Sequence, residues 1–390
     1  MKLLLVHNRY FQPGGEEEVF GAESALLRQR GHEVVEYVED NRSIRRLGKW
    51  DVAARTLWSS PAQRHLRLLL RRHRPDVAHF HNTFPLISPS AYYACRDDGT
   101  PVIQTLHNYR LLCAAATFFR QARVCEECLG RRFTWPGILH GCYRSSVAQS
   151  TVVTAMLWLH RLLGTWDRQV DIFIALSEFA RRKFIQAGLP GKRIVVKPSF
   201  VEPDPGVGGS GGGYALFAGR LSPEKGIATL LRAWRQLPLI PLYIAGDGPL
   251  LAQAREFAAS VAGRGNVRVL GRRSRRELFQ LMKAARYLLF PSQCYESFPM
   301  VIAEAFACGL PVVASKLGAA AEIVEHGRTG LLVRPGDAEH LAETAGWLWS
   351  RPSTSARMGR EARAEYELKF CAQRNHARLL EIYESVLGRR

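Results

Sequence analysis

The sequence predicts an α/β protein of two doubly wound, parallel-sheet domains, and three observations predict it. Short apolar runs rich in β-branched residues recur along the chain, each separated from the next by a stretch at helical spacing, the pattern of a parallel sheet covered on both faces. The alternation is interrupted once, by the glycine- and proline-rich stretch Glu202 to Gly213 (EPDPGVGGSGGG), a flexible linker or surface loop, and then restarts. The length, 390 residues, is that of two or three ordinary domains.

The first half opens on KLLLVHNRY, a buried strand, followed by the turn FQPGGEEE and a helix from Val19 to about Arg30 that Gly31 ends. HEVVEYVE, DVAHFH (76–81), PVIQTLH (101–107) and DIFIALS (171–177) read as further strands. The second half repeats the alternation through YALFAGR, PLYIAG, VRVLGR, YLLFPS, PVVAS and GLLV. In the tail, 372–387, Leu379, Leu380, Ile382, Tyr383, Val386 and Leu387 fall at helical spacing, so this helix needs a surface, and the first half is the candidate. The expected division is residues 1–200, with a cysteine-rich insertion at 113–142, residues 201–371, and a C-terminal helix at 372–390 crossing back. Two such domains place a cleft between the carboxyl ends of their sheets, where ligands bind.

Apolar residues make up 47% and charged residues 23%, which excludes disordered, collagenous and small disulfide-stapled classes. The run Leu3–Val6 is too short for a signal peptide, and polar residues interrupt the longest apolar stretch, Val147–His160. The expected location is cytoplasmic, with the inner face of the membrane as a docking place, and the eight cysteines are expected to be thiols rather than disulfides. Lysine and arginine number 54 against 35 acids, a formal charge of +19 that suits phosphorylated substrates, anionic lipid or nucleic acid. No basic patch is interleaved with aromatics and no nucleic-acid motif is present, which argues against a nucleic-acid partner. Arg42–Arg74, with Lys49, Trp50 and Trp58 among its basic residues, and Ile138–Trp166 each read either as a helix lying on an anionic membrane or as a solvated basic face.

Three constellations lie where strands hand over to helices. In Gly219-Arg220-Leu221-Ser222-Pro223-Glu224-Lys225-Gly226, Ser222 is a good N-cap and Pro223 a good first helical residue, which sets two cations beside unpaired helical N–H groups, an arrangement suited to a pyrophosphate. In Glu296-Ser-Phe-Pro-Met-Val-Ile-Ala-Glu304, one acid precedes a helix, the other lies inside it, and the amides of Phe298 to Val301 fall in its first turn. Pro13-Gly14-Gly15-Glu16 allows a close backbone approach after the first strand, but it is not the G-x-G-x-x-G of a nicotinamide site. His107 stands at a strand's carboxyl end, and His79 and His81 flank another, where a structural role fits both.

GRLSPEKG (219–226), IAGDGP (244–249), NVRVLG (266–271), PSQCYESFPMVIAEAFACGLPVVAS (291–315) and HGRTGLLV (326–333) resemble, in order, the second domain of family-4 retaining glycosyltransferases, which have the GT-B fold of two Rossmann-like domains. HNRYFQPGGEE, DVAHFHN and TLHNYR resemble parts of the family's first, acceptor-side domain. The resemblance implies transfer of a sugar from a nucleotide-diphosphate donor, UDP- or GDP-linked, to an acceptor hydroxyl of a glycan or lipid-linked glycan, with retained configuration. It implies that Arg220 and Lys225 neutralise the donor diphosphate, that Glu296 holds sugar hydroxyls and Glu304 ribose hydroxyls, and that Phe298, Pro299, Met300 and Val301 form the turn against sugar and phosphate. Pro299 supplies no amide where many members have a glycine in this turn. Gly14 and Gly15 match the loop over the phosphate, Gly219 opens the cationic segment, and His107 matches a histidine near the sugar; Gly271 and Arg272, after VRVLG, are candidates for the base pocket.

The chemistry agrees with that implication. Breaking the glycosidic bond leaves negative charge on the diphosphate, which fixed cations and amides stabilise as it develops. None of the ten aspartates falls in Asp-x-Asp, so no metal cofactor is expected for catalysis. A nucleotide-sugar epimerase of the same fold and a non-catalytic sugar-nucleotide-binding protein are the alternatives.

Cys113, Cys125, Cys128 and Cys142 are spaced C-x11-C-x2-C-x13-C within an arginine-rich stretch poor in periodic apolar residues. Four thiols with one C-x2-C pair suit a structural zinc ion; an iron–sulfur cluster uses the same ligands, and buried free cysteines are the third reading.

Overall fold

A computed structural model describes residues 1–11, 14–209, 212–261 and 267–388. The chain forms two compact units. One comprises Met1–Phe118, Cys125–Ser199 and Asn375–Arg390, the other Phe119–Val124 and Phe200–Arg374.

The first unit holds β1 (Lys2–Arg9), β2 (Glu33–Asp40), β3 (Val77–Asn82) and β4 (Val102–Leu106). A two-stranded antiparallel hairpin of β5 (Phe119–Arg120) and β6 (Arg123–Val124) comes next in the chain, and then β7 (Ile172–Ala175) and β8 (Ile194–Val196). The sheet order is β2-β1-β3-β4-β7-β8, parallel throughout. β3 and β4 are buried along their whole length, which is why they read as apolar runs without alternation. The sequence reading did not foresee β8, a three-residue edge strand too short to show a period.

The second unit holds β9 (Ala215–Ala218), β10 (Leu242–Ala245), β11 (Val267–Gly271), β12 (Tyr287–Phe290), β13 (Val312–Ser315) and β14 (Gly330–Val333). Their order is β11-β10-β9-β12-β13-β14, again parallel. The direction of winding reverses between β1 and β3 in the first sheet and between β9 and β12 in the second. These switch points open the crevice in which doubly wound sheets bind ligands.

Two expectations are corrected. The first helix spans Gly15–Gln29, beginning four residues before Val19, because Glu16, Glu17 and Glu18 in its first turn favour the positive end of the helix dipole. The stretch 202–213 is not a free linker, as far as it is described. Arg363 clamps both carboxylate oxygens of Asp204 at 2.7 Å, Gly208 donates to the Cys308 carbonyl at 3.0 Å, and a Cβ on Gly212 would lie 2.1 Å from the Ala285 backbone. Glycine is needed there for close packing rather than for flexibility. Ser210 and Gly211 lie outside the described residues.

The C-terminal helix, Ala372–Leu387, buries Leu379, Ile382, Tyr383 and Val386 in the core of the first unit, against Leu3, Leu5, Phe20, Val77 and Ile172. The second unit has its own core, in which Phe217, Ile244, Leu289 and Val313 of the sheet meet Leu230, Trp234 and Leu341 of the helices. Among the described residues, no helix is long and apolar enough to cross a membrane.

Candidate active site

The second unit places its charged residues at the β9/β12 switch point. β9 ends at Ala218, and the chain turns through Gly219 and the exposed Arg220. The structure then departs from the expected helix start. Pro223–Lys225 form a single 3-10 turn, the Ser222 hydroxyl donates to the Glu224 carboxylate at 2.6 Å instead of capping an amide, and the α-helix begins at Ile227. Arg220 and Lys225 therefore precede the helix rather than flank its first amides. Gly226, at φ +74, separates the two helical pieces, and a Cβ there would lie 1.9 Å from the Pro291 carbonyl. Only glycine allows this loop to approach the loop that follows β12 so closely.

That approach joins the two loops. Gln293 donates its backbone N–H to the Glu224 carbonyl at 2.8 Å and its side-chain amide to Thr229 Oγ1 at 2.6 Å. Lys225 forms an ion pair with Glu296, and Ser292 donates to the same carboxylate at 3.2 Å. Burial disfavours the Lys225 ammonium, yet Glu296 beside it raises its pKa, so the side chain is a fixed cation. The pair is only partly covered, at 27% and 18% side-chain exposure, and a ligand can reach it.

Glu296 lies ahead of the helix Met300–Ala307, for which Pro299 is the N-cap residue. Met300 and Val301 stand in its first turn, where amides have no partner within the helix. Phe298 faces inward, its ring 5.6 Å from that of Phe370, so its side chain belongs to the core. Glu304 is buried on the helix and lies 3.5 Å from Arg275, which also donates to the Glu202 carbonyl. Gly271 closes β11 at φ +72 and accepts a hydrogen bond from the Gly246 N–H at 2.9 Å, and Arg272 beside it is exposed.

In the first unit, Gly14 has an ordinary extended backbone (φ −137, ψ −168), so the conformational freedom expected of this turn is not used there. Its N–H donates to Glu17 at 2.8 Å, and Gly15 is the first helical residue. Pro13 lies outside the described residues. His107 follows β4, is 8% exposed, and stacks on His81 with its Nε2 3.0 Å from His81 Nδ1. Burial, then the neighbouring histidines His81 and His7, holds His107 well below the usual histidine pKa.

Sequence reasoning missed several polar residues here. Asn108 donates to Glu16 at 2.6 Å, tying the start of the first helix to the end of β4. Burial of its carboxyl end raises Glu16 to about 7. Glu23 and Lys197 form a fully buried ion pair at 2.9 Å. Glu23 was legible, because it falls on the apolar stripe of its helix with Val19, Phe20, Leu26 and Leu27. Lys197 directly follows β8, the strand that was not foreseen.

The four cysteines of the insertion all lie in the first unit. Burial raises the Cys128 thiol to about 12, and Cys113, Cys142 and Cys125 are near enough to push it further up. Gly137 sits at the middle of the group. A Cβ on it would lie 3.8 Å from Cys128 Sγ and 3.2 Å from Ala114, the neighbour of Cys113, and its carbonyl accepts from the Cys142 N–H at 3.0 Å. Arg161, interacting electrostatically with Cys128, ties the flanking segments together through the carbonyls of Leu111 and Arg132, each at 3.1 Å. The tightest group of metal-ligating side chains among the described residues is a different one, Glu23, His79 and His81, with ligand atoms within 4.8 Å of one another.

The model of the family described as "Glycosyl transferases group 1" matches residues 209–365, and that of "Glycosyltransferase Family 4" matches residues 13–205. The chain is 33% identical over 161 residues to the D-rhamnosyltransferase WbpZ of Pseudomonas aeruginosa, covering 41% of this chain and 42% of that one. It is 36% identical over 163 residues to a glycogen synthase of Mycobacterium tuberculosis, covering 40% and 38%. These matches span less than half the length of each relative. Among solved structures, Anabaena HepE in complex with UDP-glucose superposes with a TM-score of 0.69 at 21% identity, over 99% of this chain and all of that one. Sucrose-phosphate synthase of Thermosynechococcus elongatus superposes with a TM-score of 0.73 at 17% identity, over the whole of both chains.

Proposed function

The chain belongs to the group 1, family 4 glycosyltransferases of GT-B fold, and from that premise we propose that it moves a sugar from a UDP- or GDP-linked donor to an acceptor hydroxyl, retaining the anomeric configuration and using no metal at the donor. The observation that carries this reading is the partly exposed Lys225–Glu296 pair at the β9/β12 switch point, with the exposed Arg220 five residues before Lys225 in the chain. The bond between the sugar carbon and the diphosphate oxygen breaks, the diphosphate departs with the electron pair, and the acceptor oxygen takes its place on the same face of the sugar and passes its proton to the departing diphosphate oxygen. Lys225 and Arg220 meet the negative charge as it develops on the diphosphate, and the first-turn amides of Met300 and Val301 add to them. Glu296, which holds Lys225 in place, also accepts from sugar hydroxyls. Glu304 accepts from the ribose, and Gly271 and Arg272 border the base. The test is a thermal-shift panel of nucleotides and nucleotide sugars followed by transfer assays, since bound ligand raises the melting temperature by mass action. Release of an altered free sugar nucleotide without acceptor would favour an epimerase.

The acceptor is anionic or carried on an anionic surface. Arg42, Arg45 and Arg46 line a cavity with Phe11, and Arg45 and Arg144 both stack on that ring, at 5.9 and 5.7 Å. Trp50 and Leu68 are 89% and 67% exposed on neighbouring basic helices and support peripheral docking on the inner membrane face. Sedimentation with vesicles should rise with anionic lipid content, and sedimentation independent of it would count against docking.

The cysteine cluster holds a structural zinc ion. Its donor set suits zinc chemically, four thiols of which Cys113, Cys142 and Cys125 lie near enough to act on Cys128, and binding would draw the sulfurs inward, since no three of them lie within 4.8 Å of one another. The ion orders the insertion and takes no part in transfer. Purified protein with less than about 0.2 equivalents of zinc or iron would defeat this, since tight structural sites stay occupied.

A further inference from the structure

The segments that leave β1 and β2 meet at the carboxyl end of the first unit's sheet, the end at which doubly wound folds bind ligands. Phe11 stands two residues beyond β1, and Arg42, Arg45 and Arg46 belong to a short 3-10 helix, Asn41–Arg46, that follows β2 directly. The two strands are neighbours in register, Arg9 opposite Asp40, which brings these residues together. The four line a cavity of about 530 Å³, within the roughly 300–1,000 Å³ of small-molecule sites. Arg144 joins them from the segment ahead of the helix Val147–Leu162. Its guanidinium carbon lies 5.7 Å from the centre of the Phe11 ring, and that of Arg45 lies 5.9 Å from it.

The wall that carries these arginines is anchored. Asn41, 2% exposed, accepts from the side-chain amide of the fully buried Asn8 at 2.8 Å, and Asn8 in turn accepts from the Leu86 N–H at 2.8 Å. Asp40 accepts from the Arg42 N–H at 2.8 Å, and the Ser43 hydroxyl donates to the Asp40 carbonyl at 2.7 Å. Arg144 and Ser145 both stand in the left-handed region, at φ +53 and +54, which residues with a side chain rarely adopt. Strain of this kind collects at ligand sites, and here it accompanies a guanidinium set over two rings, Phe11 and Tyr143.

Charge decides what the cavity takes. Arg42, Arg45, Arg46 and Arg144 are all exposed, and among the described residues no carboxylate pairs with any of them. The acids nearest in the chain are engaged elsewhere: Glu39 accepts from the Tyr37 hydroxyl, Asp40 from the Arg42 backbone and Asp51 from the Gly48 backbone. Other arginines of the same unit do find acids, Arg28 with Glu36, Arg67 with Asp97 and Arg96 with Asp171. Unneutralised guanidiniums around a concavity concentrate anions there, and a guanidinium keeps its proton in proteins, so this charge is fixed. A lone carboxylate would offset one of the four. A phosphate or diphosphate ester brings several charges into the same space and matches the guanidinium fork with paired oxygens.

We propose that this cavity is a binding site for a phosphate or diphosphate ester, gripped by Arg45 and Arg144 with Arg42 and Arg46 beside them, and that the acceptor carries that group. The assignment to the acceptor rests on the reading of the protein as a glycosyltransferase with an anionic acceptor. The site itself lies wholly in the first unit and binds without a donor.

The test is calorimetric titration of the full-length protein with inorganic pyrophosphate, in an Arg220→Ala/Lys225→Ala background that silences the donor cations. Binding is expected there, and adding Arg45→Gln/Arg144→Gln weakens it roughly 10- to 100-fold, the scale of losing charge-assisted hydrogen bonds. Adding Arg71→Gln/Arg72→Gln instead, the same change of charge at two exposed arginines in the last turn of the helix Ser60–His73, leaves it unchanged. No binding, an equal loss in the two variants, or binding of glucuronate as tight as that of pyrophosphate overturns the site. Should Arg45→Gln/Arg144→Gln fail to fold, Arg42→Gln/Arg46→Gln decides by the same comparison. Sedimentation with phosphatidylcholine vesicles containing phosphatidic acid separates the sources of the phosphate. A loss in Arg45→Gln/Arg144→Gln but not in Arg71→Gln/Arg72→Gln assigns it to a lipid, and any other pattern, with pyrophosphate binding still weakened, assigns it to a soluble ester. Pyrophosphate bound at the cavity by a protein that transfers no sugar leaves the site standing and removes the proposed function.

Discussion

The two units wind their sheets in closely related ways but treat charge differently. The first hides its pair: Glu23 and Lys197 are 1% and 2% exposed, and the two histidines beside Glu23, His79 and His81, lie in the core. The second keeps its pair at the rim, with Lys225 and Glu296 at 27% and 18% exposure and Arg220 beyond them. A buried pair is bound to its place by the cost of separating its partners, so it can only orient something else. A rim pair can trade one partner for a ligand at modest cost. The same residue types are structural in one unit and available for chemistry in the other because of where the strand ends place them.

Breaking the buried pair should have the largest effect. Glu23→Gln leaves Lys197 buried without its anion and should cost about 3–5 kcal/mol in urea unfolding, while Glu23→Gln/Lys197→Met recovers most of that loss. A single variant as stable as the wild type would erase the contrast between the units. At the rim the order reverses. Arg220→Ala and Lys225→Ala should each lower turnover at least ~100-fold, the scale of losing one oxyanion-type donor, with little change in unfolding midpoint for the exposed Arg220. Near-normal transfer by both variants would contradict the site.

A pH series sharpens the comparison. Glu16 has a pKa of about 7 in the folded protein against an ordinary 4.5, through burial above all. Its contribution to stability is fully present below about pH 4.5 and is lost as pH rises through 7. The stability of Glu16→Gln relative to the wild type should therefore grow between pH 5 and pH 8, and a difference that does not change with pH would show that Glu16 is solvated. The smallest effect is expected from Tyr383→Phe, which removes the hydroxyl bonded to His79 and should cost about 1 kcal/mol in the same unfolding assay.

Much of the fold was legible because its strands are short apolar runs. KLLLV, VAHFH and VVAS could only be buried, and Gly31 stood where a helix had to stop. Elements without a period escaped: β8 has three residues, and the short 3-10 turn at Pro223–Lys225 looked like the first turn of an α-helix because Ser222 and Pro223 are good helix starters. There a tertiary contact overrode local propensity, since Gly226 must pack against Pro291. The rim charges Arg220, Lys225 and Glu296 were legible because they follow strand ends in sequence. The line from His107 through His81 to Glu23 and Lys197 was not, because its members are brought together across most of the first unit. The period of two that places His79 and His81 on one face of β3, and an acid on an apolar helical stripe, were the available hints.

Calorimetric titration of the full-length protein with UDP- and GDP-sugars in the presence of EDTA tests most directly whether the second unit grips a nucleotide diphosphate with its own cations. The account predicts heat of binding for one of these donors, unchanged when magnesium replaces the chelator and much reduced in Lys225→Ala. No binding of any such compound, or binding only with magnesium or manganese present, would contradict it.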